Sequence, residues 1–171
     1  AVFAAMVYKG LVGNASTGGL NLGGYEYHDN TRTTGDTRDL AAGRIVGMIL
    51  DTAAYLGKPC FVYVCADGAT VSGESATADS PWMSDRGIAG MQYILAFHPA
   101  GRPASSGFQI GGFNDGQAAD GKFPTGTSAE MAAQAVFANY AAWNGRTDFL
   151  ESYRVLGDAA LRTKTIKLQK G

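Results

Sequence analysis

Charge is scarce in this chain of 171 residues: 17% of them are Asp, Glu, Lys or Arg, and the net charge is −1. So small a balance gives no electrostatic footing on nucleic acid or on an anionic membrane surface, and no nucleic-acid partner is expected. Long apolar runs are missing as well. No stretch reaches the ~20 apolar residues that a spanning helix needs, so no membrane span is expected. Cysteine is limited to Cys60 and Cys65. Read as one strand, the run between them puts the two thiols ~16 Å apart on opposite faces, where they cannot bond to each other. Two buried thiols are the expectation. Several catalytic signatures are absent too. There is no Gly-x-Ser-x-Gly elbow for a nucleophilic serine, no complete Gly-x-x-x-x-Gly-Lys-Ser/Thr loop for phosphates (Gly116 to Lys122 has the spacing, but Phe123 stands at the hydroxyl position), and no EF-hand pattern.

What the chain has in excess is glycine, 24 residues, about twice the usual share of ~7%. The glycines follow no fixed period, which argues for tight turns and close backbone approaches rather than a solenoid. Apolar residues make up 46%, enough for one domain over residues 1–171 with a real core. Residues 1–12 are apolar, as a short helix or a strand, and should be buried in the core or against another protein chain. They lack a basic leader and an initiator methionine, so the chain reads as a processed product or a fragment of a longer one.

The spacing predicts a helix over residues 39–56, with Ala41, Ile45, Met48, Ile49, Thr52, Ala53 and Leu56 on one stripe. Asp36 or Thr37 would cap it, and Gly57 with Pro59 would end it. Residues 60–65 form a continuous apolar strand, expected to be central with both faces buried. Residues 69–87 read as a long loop. Residues 88–97 are apolar, and length does not decide between helix and strand. Residues 108–113 suggest a short strand, and Asp115-Gly116 and Asp120-Gly121 suggest turns. A second clear helix spans 128–143, opened by Thr127-Ser128-Ala129-Glu130 at capping-box spacing and closed by Asn144-Gly145. A shorter helix is expected over 147–156, and residues 163–168 alternate like an edge strand guarded by lysines. A helix feeding an apolar strand marks an α/β fold, with a mainly parallel or mixed sheet flanked by helices.

Only two histidines are present, and His28 stands among carboxylates in Gly23-Gly24-Tyr25-Glu26-Tyr27-His28-Asp29-Asn30. On an extended backbone Glu26 and His28 share a face. The segment suits either a divalent-metal site built on Glu26, His28 and Asp29, or a polar turn anchor. Asp67 falls at the carboxyl end of the 60–65 strand, where ligands gather in α/β folds; an Asp-Gly turn is the other reading. Asp85 is a further candidate metal ligand. Arg86 beside it offers a fork for an anion, or a structural ion pair.

The run Gly23-Gly24-Tyr25-Glu26-Tyr27-His28, then a helix, a strand and Asp67, then Asp85-Arg86-Gly87, resembles a widespread group of secreted bacterial proteins of uncharacterised function. That group is placed beside the alkaline phosphatase and sulfatase superfamily. The resemblance covers roughly residues 18–145. It implies an alkaline-phosphatase-like half-domain and a secreted, periplasmic or cell-surface location. Two departures bear on chemistry. Glu26 stands where the group has aspartate, and Arg86 replaces the histidine of an Asp-His-Gly motif; an arginine, always protonated, does not ligate zinc. The group's longer N-terminal part, where phosphatase-like enzymes place the nucleophile and metal-binding acids, has no counterpart here. Two readings follow. One is an exported, non-catalytic domain for cell-surface assembly or binding. The other is a metal-dependent hydrolase of phosphate or sulfate esters, completed by another chain.

Overall fold

The computed structural model describes residues 2–15, 17–25, 33–66, 69–71, 83–86, 90–116, 118–155, 157 and 168–169. The chain divides into two compact units. The first comprises Ala1–Val62, Gly68–Arg86 and Ala96–Pro99; the second comprises Tyr63–Asp67, Gly87–Leu95 and Ala100–Gly171.

In the first unit, helix α1 (Val2–Leu11) touches helix α2 (Thr33–Tyr55). The expected helix over 39–56 is therefore present, but it begins at Thr33. Asp36 and Thr37 lie inside it rather than capping it. Gly35 lies within the helix and is buried, and the Thr37 hydroxyl donates back to the Thr33 carbonyl at 2.8 Å. Local hydroxyl-to-backbone bonding of this kind lets a threonine sit within a helix. Of the expected stripe, Ala53 is fully buried and Ile45, Ile49, Thr52 and Leu56 are half-buried, but Ala41 and Met48 are exposed. The end is as expected. Gly57 takes φ +61, its N–H bonds the Ala54 carbonyl at 3.1 Å, and the Lys58 N–H bonds the Ala53 carbonyl at 2.9 Å. That paired closure is a Schellman motif, and it needs a residue in the left-handed region. Also in this unit, strand β2 (Ala69–Val71) pairs antiparallel with β3 (Met83–Arg86). Both strands fall within the span read from sequence as loop.

Strand β1 (Cys60–Cys65) matches the expected strand and is hydrogen-bonded to β4 (Gln92–Phe97). The apolar run 88–97 thus contributes a strand. Among the described residues β4 is the only neighbour of β1, and Tyr63 and Cys65 are exposed while Cys60 is half-buried. The expectation of two buried thiols is corrected here. The alternation places Tyr63 and Cys65 on a face that the described residues leave open.

The second unit has its core on helix α3 (Ala129–Trp143). Ala135, Ala138 and Ala141 are buried together with Leu150 and Val155, and Ile110 and Met131 pack against them. The cap of α3 is shifted by one residue from the expected box. Ser128 is the N-cap, and its hydroxyl accepts the Met131 N–H at 3.2 Å. Glu130 therefore stands one position too early to reach back, and it accepts from Gln134 at 2.9 Å instead. Asn144-Gly145 closes the helix as expected, with the same paired bonds, Gly145 N–H to Ala142 and Arg146 N–H to Ala141. The short helix is α4 (Asp148–Ser152). Phe113 and Ala119 form an isolated antiparallel bridge rather than part of a strand, and residues 115–116 and 121–122 turn as expected. Within this loop Gly112 is required by close approach: a Cβ there would stand 2.3 Å from the Phe123 ring. Strand β5 (Ala104–Ser105) pairs antiparallel with β6 (Leu168–Gln169), which lies at the end of the alternating tail.

Candidate functional site

The residues singled out by sequence divide sharply. Glu26, His28, Asp29 and Asp67 lie outside the described residues. Asp85 and Arg86 are placed by their backbone alone, on β3, where Arg86 stands opposite Ala69 in the ladder.

The chain leading into Glu26 is held by α2. The Tyr25 hydroxyl donates to the Arg38 carbonyl at 3.1 Å. The Arg38 guanidinium crosses the open side of Gly24, which takes φ +78; a Cβ there would lie 3.3 Å from an Arg38 nitrogen. Glycine at 24 serves both the backbone angle and the approach of Arg38. The Gly-Gly-aromatic signal in the sequence therefore has a structural partner, Arg38, that spacing alone did not indicate.

Among the described residues, no group of three or more His, Cys, Asp and Glu side chains gathers in a way that would hold a metal ion. His98, the second imidazole, follows β4 and is half-buried.

A polar cluster that sequence reading missed joins β1 and β4. The Tyr63 hydroxyl donates to Gln92 Oε1 at 2.7 Å. Burial holds the Tyr63 phenol above its ordinary range, and the charge and hydrogen bond of Cys65 add to the shift. Burial also pushes the Cys60 thiol up. The period-two spacing of 63 and 65 is the signal that puts these two side chains on one face. At the start of α4, Arg146 grips Asp148 through two bonds of 3.0 Å and covers the Phe149 ring at 3.8 Å. The hydrogen bond from Arg146 holds the Asp148 carboxyl below the usual range. Both partners are exposed, so this pair organises the helix start more than it stabilises the fold.

The helices of the first unit present apolar side chains outward. No residue of α1 is buried; Val2 is 85% exposed and Tyr8 53%. On α2, Leu40 and Met48 are each 56% exposed and Tyr55 is 91% exposed. No helix among the described residues is long and apolar enough to cross a membrane.

Comparison with known families, with characterised proteins and with solved structures finds no match to this chain.

Proposed function

We propose that this chain is an exported α/β domain, an alkaline-phosphatase-like half-domain with a mainly parallel or mixed sheet flanked by helices. It acts without catalysis in assembly or binding at the cell surface, and residues 1–12 dock on another protein chain. The observation that carries this reading is α1, an apolar helix with no buried residue. Each large apolar side chain moved from water into an interface contributes ~1.5–3 kcal/mol, so the exposed Val2 and Tyr8, beside the half-buried Phe3, Met6, Val7 and Leu11, favour association. The small net charge opposes association only weakly.

The competing reading, a metal-dependent hydrolase of phosphate or sulfate esters completed by another chain, draws on the spacing of Glu26, His28 and Asp29, with Asp67 or Asp85 as further ligands. If a borderline metal such as zinc binds, His28 is the nitrogen donor it would take, whereas calcium would use carboxylates and carbonyls. Calorimetric titration of zinc and calcium into the metal-free chain and into His28→Ala separates the two readings. The assembly reading expects no tight zinc uptake by either protein. Tight uptake that His28→Ala abolishes, with turnover of p-nitrophenyl phosphate or sulfate by the loaded protein, would overturn it.

A further inference from the structure

We propose that the outer face of α2 is a self-recognition seam, which binds the same face of a second copy of this chain in antiparallel register. The inference rests on the assembly reading and adds to its α1 contact a second one, made on α2 with a second copy.

Six residues define the seam. Leu40, Arg44, Gly47, Asp51 and Tyr55 recur at intervals of three and four along α2, and Met48 stands four after Arg44 and three before Asp51. At 100° per residue they share one face ~100° wide. Leu40, Met48 and Tyr55 are the exposed apolar side chains named above, and Arg44 and Asp51 are exposed as well. A Cβ built on Gly47 meets nothing within 4 Å.

This face is complementary to itself. A two-fold axis between Gly47 and Met48 sets Leu40 against Tyr55 of the second copy, Arg44 against Asp51, and Gly47 against Met48. Each contact then occurs twice, as an isologous interface requires. The gap over Gly47 receives the flexible Met48 thioether. Arg44 and Asp51 lie ~10 Å apart along their own helix, too far to pair within it. Across the seam they meet. Charge also selects the direction: a parallel, in-register pair would set Arg44 against Arg44 and Asp51 against Asp51. Like charges opposed in that way reject the alternative. From Leu40 to Tyr55 the contact is ~22 Å long.

The test is sedimentation equilibrium on the full chain between about 1 and 100 µM, the range suited to a small specific interface. The wild type should dimerise. Arg44→Asp and Asp51→Arg should each weaken the dimer about tenfold or more, since each variant opposes like charges twice. An equimolar mixture of the two variants should recover a dimer, because each then supplies what the other lost. The doubly reversed chain, R44D with D51R, should recover it as well. Recovery in the mixture also shows that both variants fold. The seam is overturned if single reversal leaves association unchanged, or if neither mixture nor double reversal restores it. Association that survives both reversals but is lost in Val2→Asp with Tyr8→Asp would overturn the seam and leave the assembly reading standing. A monomer at every concentration would remove the seam, and the assembly reading would then rest on docking of α1 to a different protein.

Discussion

Arg154 carries a conformation that its three counterparts leave to glycine. The four helices of the described residues end on the same pair of backbone bonds, and the residue in the left-handed region is Gly13 after α1, Gly57 after α2 and Gly145 after α3. After α4 it is Arg154, at φ +50. The geometry is maintained because Val155, the next residue, is buried against Leu150 on the core of its unit. That is the apolar contact that often accompanies this motif. A left-handed non-glycine residue costs ~1–2 kcal/mol, partly offset by the entropy that glycine loses on folding. Arg154→Gly should therefore raise the unfolding free energy by about 0.5–1 kcal/mol in a urea melt. A decrease would mean that the arginine side chain contributes more than the strain costs. The thiols give a second residue-scale expectation. Cys65 is exposed, whereas Cys60 is half-buried with its thiol held in the neutral form by burial. Since the thiolate is the reacting species, mass-resolved alkylation near neutral pH should label Cys65 well before Cys60. Equal rates would contradict the placement of β1.

At the scale of elements, helix ends were legible where a residue type has one conformational use. Gly57 and Gly145 marked two C-termini, and Ser128 marked a start. Its bond to the Met131 N–H satisfies a donor that would otherwise be left unpaired. Ser128→Ala should cost about 1 kcal/mol, and Glu130→Ala distinctly less, because Glu130 reaches sideways to Gln134 and not back to the cap. Thermal or denaturant melts of both variants check this; a larger loss for Glu130→Ala would restore the capping box read from spacing. The start of α2 was not legible. Thr33, Gly35 and Thr37 are weak helix formers, and propensity argued for a loop until the burial of Gly35 overrode it. Residues 92–97 were ambiguous because a short apolar run suits a strand and a buried helix equally. The facing of β1 was misjudged for a related reason: a run without polar residues carries no information about which side is open, and Tyr63 and Cys65 were exposed.

For the whole molecule, the sequence displayed an unusual amount of apolar surface near its start but not what covers it. Periodicity shows which residues share a face; it does not show whether that face meets the chain's own core or another chain. The rarity of histidine and the carboxylates around His28 made a candidate site legible as chemistry alone; Glu26, His28, Asp29 and Asp67 lie outside the described residues. The contact of Gly24 and Tyr25 with Arg38 depends on a close approach that spacing does not encode. The central claim is that α1 is an assembly element. Hydrogen exchange of the α1 amides tests it most directly, read on the full chain from low to high protein concentration beside its sedimentation. Exposed helical amides exchange fast and interface amides slowly. The account predicts fast exchange over residues 2–11 in the dilute chain, slowing when another chain covers α1 and unchanged by dimerisation through the α2 seam alone. Slow exchange over these residues in the dilute monomer would contradict it.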